Sequence, residues 1–190
     1  MVSSLQGYLA FLGLLAAERL VELVLSKRNA ARAFARGGVE TGQGHYRVMV
    51  VFHSLFLVAC AAEVLVLERA FPGASGFAAL GVALVAQALR YWAIASLGDR
   101  WNTRIIVVPD LTPVTRGPYR FLRHPNYVAV VLELAAVPLI HGAWVTAVVF
   151  TLGNALLLRV RIRAEEEALG AAYAEAFANK PRFIPEVHRG

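Results

Sequence analysis

The chain has 190 residues, 58% of them apolar and only 17% charged, with a mean hydropathy of +0.56 and a formal net charge of +6. A soluble domain is roughly 45–50% apolar and about 25% charged, and a globule with this composition would expose large apolar patches and aggregate. The composition therefore excludes an ordinary cytosolic globule, a disordered chain and a collagen-like fibre, and points to an integral membrane protein. Cys60 is the single cysteine, so neither an intramolecular disulfide nor a multi-cysteine metal centre is expected, and no metal site is assigned.

A helix that crosses a hydrocarbon core of about 30 Å needs ~20 mostly apolar residues. Residues 5–25 form the first such run, interrupted by Glu18, Arg19 and Glu22. They lack the basic start of a cleavable leader, so the run is read as a span. Residues 46–67 form the second, with His53 and Glu63, and residues 76–97 the third, with Gln87 and Arg90. Residues 128–158 are longer and break at His141-Gly142, just after Pro138, which predicts two short helices in a tight hairpin. Five spans result. Glu18, Arg19 and Glu22 are expected to pair within the first helix, and Glu63 with Arg90 between helices. Glu133, about two turns into the fourth span, is the most suggestive of these charges, because a buried carboxylate there needs a partner or a polar cavity.

Lys and Arg test the count. The successive connections and the tail hold five, one, five, none and six of them. Under the positive-inside rule this alternation fits five spans, with the N-terminus outside and the C-terminus cytoplasmic, in the cell membrane. The basic residues fall between apolar runs, where they set topology and meet anionic lipid, so the bilayer rather than nucleic acid is the expected partner. Residues 99–123, rich in Pro, Gly and Thr, read as an ordered loop or short extended piece. The tail from Arg159 reads as a helix, with Leu158, Ile162, Leu169, Tyr173 and Phe177 at compatible spacings, stopping near Lys180-Pro181. The expected organisation is an N-terminal part, residues 1–98, and a core, residues 99–190. Functional residues should lie where the basic loops meet the tail.

Two strings could carry chemistry. In the first, residues 116–127, Gly117-Pro118 makes a turn and Pro125 suits the first turn of a helix, whose amides favour an anion. His124 adds a donor and Tyr127 a ring and a hydroxyl. A juxtamembrane basic–aromatic anchor would use the same residue types. In the second, residues 159–167, Arg161 and Glu165 share a helix face and could hold a zwitterion, the guanidinium gripping a carboxylate. A surface salt bridge is the simpler alternative, but the run of Glu165, Glu166 and Glu167 next to an anionic leaflet argues for a polar cavity.

Together these strings resemble the isoprenylcysteine carboxyl methyltransferase family. The resemblance lies in Gly117-Pro118-Tyr119, in Arg123-His124-Pro125-Asn126-Tyr127, in the apolar hairpin, and in Arg161, Glu165, Glu166 and Leu169. Tyr173, Phe177 and the closing Pro181-Arg182-Phe183-Ile184-Pro185 also match, so coverage is roughly the C-terminal half. The resemblance implies an all-α integral membrane enzyme, with five transmembrane helices, a helical hairpin, and a cytoplasmic C-terminal helix forming a cofactor pocket. S-adenosyl-L-methionine would be the cofactor and S-adenosyl-L-homocysteine the product, with a lipid-like small-molecule acceptor entering from the bilayer. Tyr119, His124, Pro125, Tyr127 and Glu166 would bind the cofactor, and Arg161 and Glu165 would be catalytic. The family often has glycine where this chain has Ala129. Trp101-Asn102-Thr103-Arg104 and the Asn126-Tyr127 pair look more like bacterial members that O-methylate alkylresorcinols or alkylpyrones. The acceptor oxygen would thus be the carboxyl of a prenylated cysteine-like molecule, or the phenol or enol of such a lipid.

Membrane sterol reductases that use NADPH share an Arg-His-Pro-Asn-Tyr string, but usually follow it with Gly-Glu where this chain has Val128-Ala129. A non-enzymatic scaffold binding anionic lipid would leave Arg161 and Glu165 dispensable.

Overall fold

The computed structural model describes residues 3–183, so the Ile184-Pro185 end expected for the tail lies outside the described residues. Among the described residues five α-helices carry the fold: α1 (Ser4–Ala35), α2 (Gln43–Val66), α3 (Ala74–Leu97), α4 (Pro125–Leu139) and α5 (Trp144–Ala176). α2, α3 and α5 are long and apolar enough to cross a membrane, and α4 is a shorter apolar helix. The protein is an all-helical membrane protein.

α1 starts at a capping box, with Ser3 accepting from the Gln6 amide and Gln6 reaching back to the Ser3 amide. Its helix outlasts its apolar run and ends at Ala35, ahead of Gly37-Gly38. The hairpin forms as expected between α4 and α5. Pro138 sits next to the last residue of α4, and its carbonyl accepts from the Ala143 amide at 2.9 Å to close the turn.

The residue ahead of α5, Ala143, has no side chain that can cap it, so Glu63 of α2 does so from a distance in sequence. Its carboxylate accepts from the Val145 amide at 3.2 Å, and from the Thr146 amide and hydroxyl at 2.7 Å each. Arg69 closes the arrangement with an ion pair at 3.0 Å. The expected Glu63–Arg90 pair is therefore not formed. Glu63 stands at the end of α2 where α5 begins, and amides and Arg69 already satisfy it.

Arg90 belongs instead to a buried layer joining α1, α3 and α4. Its Nε and Nη2 donate to the two oxygens of Glu22 at 2.6 and 2.9 Å. Arg19 donates to Glu22 at 2.6 Å and to both oxygens of Glu133 at 3.2 Å, and Arg90 reaches Glu133 at 3.4 Å. Gln87 donates to Glu18. Only the Glu18, Arg19 and Glu22 contacts lie within α1, as expected. The rest of the layer crosses between helices, and it supplies the partner that Glu133 needed.

A short antiparallel ribbon, β1 (Val39–Thr41) with β2 (Ile105–Val107), ties the loop after α1 to the loop before α4. Three-residue strands carry too little periodicity to be read from sequence. The last span and the tail are also not two separate helices. α5 runs on from the hairpin until Gly170, whose φ of 68° and ψ of −158° only glycine adopts readily, and ends at Ala176, short of the expected Lys180-Pro181. The chain then folds back, so that the Arg123 amide donates to the Pro181 carbonyl at 3.0 Å and the His124 amide to that of Arg182 at 3.3 Å.

Candidate active site

The start of α4 and the C-terminal half of α5 bring the two sequence strings face to face. His124 is the residue ahead of α4, and Pro125 takes its first position, where the missing N–H costs nothing. That turn aims His124 and Tyr127 at α5, with their rings stacked at a centroid distance of 5.3 Å.

The Tyr127 hydroxyl is the centre of the arrangement. It donates to Glu165 Oε2 and accepts from Arg161 Nε at 3.1 Å. Arg161 and Glu165 are on one face, as their spacing requires, yet they communicate through the phenol rather than as a direct pair. Arg161 is only 4% exposed and directs Nη2 to the Thr103 carbonyl at 2.9 Å, while Nη1 is buried without a partner among the described residues. A buried guanidinium with a free N–H is a strong donor waiting for an oxygen.

His124 Nε2 lies 3.0 Å from Glu166 Oε1, and Arg182 of the tail grips the same carboxylate at 3.1 and 2.5 Å. Burial alone would raise the Glu166 carboxyl, but the hydrogen bonds from Arg182 and His124 outweigh it and hold it below its ordinary value. Of the three glutamates, Glu165 and Glu166 are half-buried and Glu167 is exposed. Tyr119 packs with Tyr173 and Phe177, and burial with the nearby Glu165 charge pushes its phenol well up. The Asn126 Oδ1 atom is buried without a partner among the described residues.

The sequence profile of the "Isoprenylcysteine carboxyl methyltransferase (ICMT) family" matches residues 79–171, a stretch that holds all seven of the site residues read from sequence. A Bacillus subtilis protein named "Uncharacterized protein YpbQ" is 40% identical over 83% of this chain and 94% of its own length. The chain belongs to the isoprenylcysteine carboxyl methyltransferase family. A Haemophilus influenzae protein, named "Uncharacterized protein", is 26% identical over 83% of this chain and 92% of its own length. At the level of the family, the activity is methyl transfer from S-adenosylmethionine in a membrane.

Several residues of this site escape sequence reading. Thr103 contributes its backbone carbonyl, which no side-chain pattern encodes, and it is positioned by Ser26 of α1, whose hydroxyl lies 2.8 Å from Thr103 Oγ1 and accepts from the Thr103 amide at 3.1 Å. Tyr46 of α2 touches the same Thr103 hydroxyl at 3.2 Å. Asn29 holds the loop from the other side, donating to the Trp101 carbonyl at 2.8 Å. Arg182 stood inside a matched string, but only the folded-back tail reveals that it reaches Glu166. Ser26, Asn29 and Tyr46 lie before residue 79, outside the profile match.

Proposed function

We propose that the protein transfers the methyl group of S-adenosyl-L-methionine to an oxygen of a lipid-like acceptor, releasing S-adenosyl-L-homocysteine. The acceptor oxygen is the carboxyl of a prenylated cysteine-like molecule or the phenol or enol of an alkylresorcinol- or alkylpyrone-like lipid. The observation that carries this reading is the single cluster in which Tyr127 joins Arg161 to Glu165, next to His124 with Glu166. Membership in the family favours it over the reductase and scaffold alternatives.

The residues fit the cofactor. The unpartnered Arg161 Nη1 and Asn126 Oδ1 offer a buried donor and a buried acceptor, and the rings of Tyr119, His124 and Tyr127 with Pro125 offer faces for an adenosyl group. When bound, the cofactor supplies an electrophilic methyl on a sulfonium sulfur. Glu166 and His124 hold the polar end of that group. Arg161 steadies the acceptor oxygen through Nη1, and Glu165, through Tyr127, fixes the guanidinium. Proximity and alignment supply most of the rate in such an in-line displacement. The tail is fastened beside the cluster by Arg123 and Arg182, and closure of that segment over a bound cofactor would exclude water.

The same reading takes all five helices across the cell membrane, with the N-terminus outside and the C-terminus cytoplasmic. The loop charges support this orientation. The pairing of Glu18, Arg19 and Glu22 with α3 and α4 removes the main objection to α1 as a span.

The test is calorimetric binding of S-adenosylhomocysteine to detergent-purified protein, wild type beside Tyr127→Ala. Binding that the substitution weakens is expected. A folded wild-type sample that binds none refutes the proposal.

A further inference from the structure

The folded-back tail brings to the site a charge that lies outside residues 116–127 and 159–167. Arg182 donates from Nε to Glu166 Oε1 at 3.1 Å and from Nη2 to Oε2 at 2.5 Å. Its backbone is tied to the same place, because its carbonyl accepts from the His124 amide at 3.3 Å. His124 Nε2, in turn, lies 3.0 Å from the Glu166 oxygen that Arg182 Nε reaches. The three side chains form a row leading outward from the Tyr127 ring, on which His124 stacks. Side-chain exposure rises along it, from 4% at His124 to 18% at Glu166 and 52% at Arg182.

An exposed ion pair of this kind adds little to stability by itself. Its place beside the cluster gives it another use. The methionine end of S-adenosyl-L-methionine carries an ammonium and a carboxylate on one carbon, and Glu166 and Arg182 are the complements of those two charges. Arg123 gives its side-chain donors to the Lys180 and Ala178 carbonyls, and Arg161 is held on the Tyr127 hydroxyl and the Thr103 carbonyl.

We propose that Arg182 binds the cofactor's carboxylate while Glu166 binds its ammonium, the amino-acid end entering between the two and replacing their direct pair. This rests on the methyl-transfer reading above. The row sets the direction, with the ammonium inward beside His124 and the carboxylate outward at the exposed guanidinium. Burial raises the Glu166 carboxyl, but the hydrogen bonds from Arg182 and His124 outweigh it, so the group is ionised and able to take an ammonium. Arg182 exchanges one planar carboxylate for another, which the same fork fits. Glu166 exchanges one cation for another, so neither charge is left unpaired in the site. Because Arg182 belongs to the tail, the bound carboxylate also holds that segment against α5.

The experiment is calorimetric binding to full-length protein in detergent. The probes are S-adenosylhomocysteine, its decarboxylated analogue, which keeps the ammonium, and its deaminated analogue, which keeps the carboxylate. Arg182→Gln is expected to weaken S-adenosylhomocysteine and the deaminated analogue about 10- to 100-fold, the worth of a hydrogen bond between charged groups. The decarboxylated analogue should bind that variant as tightly as it binds wild type, or tighter, since Glu166 is then free. Glu166→Gln should show the crossed pattern, losing the decarboxylated analogue and keeping the deaminated one. The ligand that each variant keeps shows that it is folded. If Arg182→Gln binds S-adenosylhomocysteine as tightly as wild type or tighter, Arg182 is only a counter-ion of Glu166 and the proposal is overturned. Equal losses for the decarboxylated and deaminated analogues in Arg182→Gln overturn it too, because the loss then lies in the tail's fold and not in a carboxylate contact. In both cases wild-type binding of S-adenosylhomocysteine leaves the methyl-transfer reading standing. Folded wild-type protein that binds none of the three overturns that reading and the proposal with it.

Discussion

Arg90→Met tests what holds the helices around the site. The methionine keeps much of the arginine's length and loses its charge. It removes three contacts: 2.6 and 2.9 Å to Glu22, and 3.4 Å to Glu133. The layer then has Glu18, Glu22 and Glu133 facing Arg19 alone. Charge centres about 4 Å apart are worth about 4 kcal/mol at an effective dielectric near 20, and removing one partner of a buried pair costs roughly 3–5 kcal/mol. Little solvent can soften this, since the Arg90 and Glu22 side chains are 11% and 8% exposed. Arg19 still holds Glu22 at 2.6 Å, so the expected loss is at the lower end, about 3 kcal/mol. Glu22→Leu together with Arg90→Met removes both charges, and the double variant should be more stable than the sum of the two single losses implies. The assay is reversible denaturation in mixed micelles for the four proteins of the cycle. Strictly additive losses would refute the pairing.

Three further outcomes follow from other contacts. Glu63→Ala should cost about 2 kcal/mol in the same denaturation assay, because the α5 amides lose their cap; an unchanged midpoint would contradict that role. Tyr127→Phe keeps the ring and loses the hydroxyl between Arg161 and Glu165, so turnover should drop by about 10- to 100-fold, the worth of a hydrogen bond to charged groups. S-adenosylhomocysteine binding should survive that substitution, as calorimetry would check. Glu166 has a lowered folded-state value, so its hold on Arg182 is complete above its ordinary value of 4.5 and is lost as pH falls through the lowered one. Hydrogen exchange of residues 177–183 should therefore rise in that acid range, and Glu166→Gln should abolish the step.

The site was legible to the extent that chemistry sits in side chains at fixed local spacing. His124, Pro125, Tyr127, Arg161 and Glu166 all lie in two strings, and the fold brings those strings together. Contacts that depend on how helices are set against one another were not legible. A sequence shows that Glu63 and Arg90 both need partners, but it does not show that Glu63 faces the free amides of α5 while Arg90 faces Glu22. Arg161 and Glu165 likewise read as a pair, and only the position of α4 reveals the phenol between them. The helical path through Arg159 was expected on both sides, but its continuity into the last span depends on no breaker standing before Gly170.

α1 explains why so much of the support lies outside the matched half. Glu22, Ser26 and Asn29 stand at spacings of four and three, which puts them on one face of the helix. All three are buried, at 6%, 3% and 2% exposure. Glu22 joins the charge layer with Arg90, Ser26 fixes Thr103, and Asn29 holds the Trp101 carbonyl. Thr103 in turn holds Arg161. A site assembled from a helix start, a helix end and loops has no rigid element of its own, and a single polar stripe on α1 connects each loose piece to a buried ion pair. Losing Arg90 should therefore be felt at Arg161 by way of α1, although neither α3 nor Arg90 contributes a group to the cluster itself.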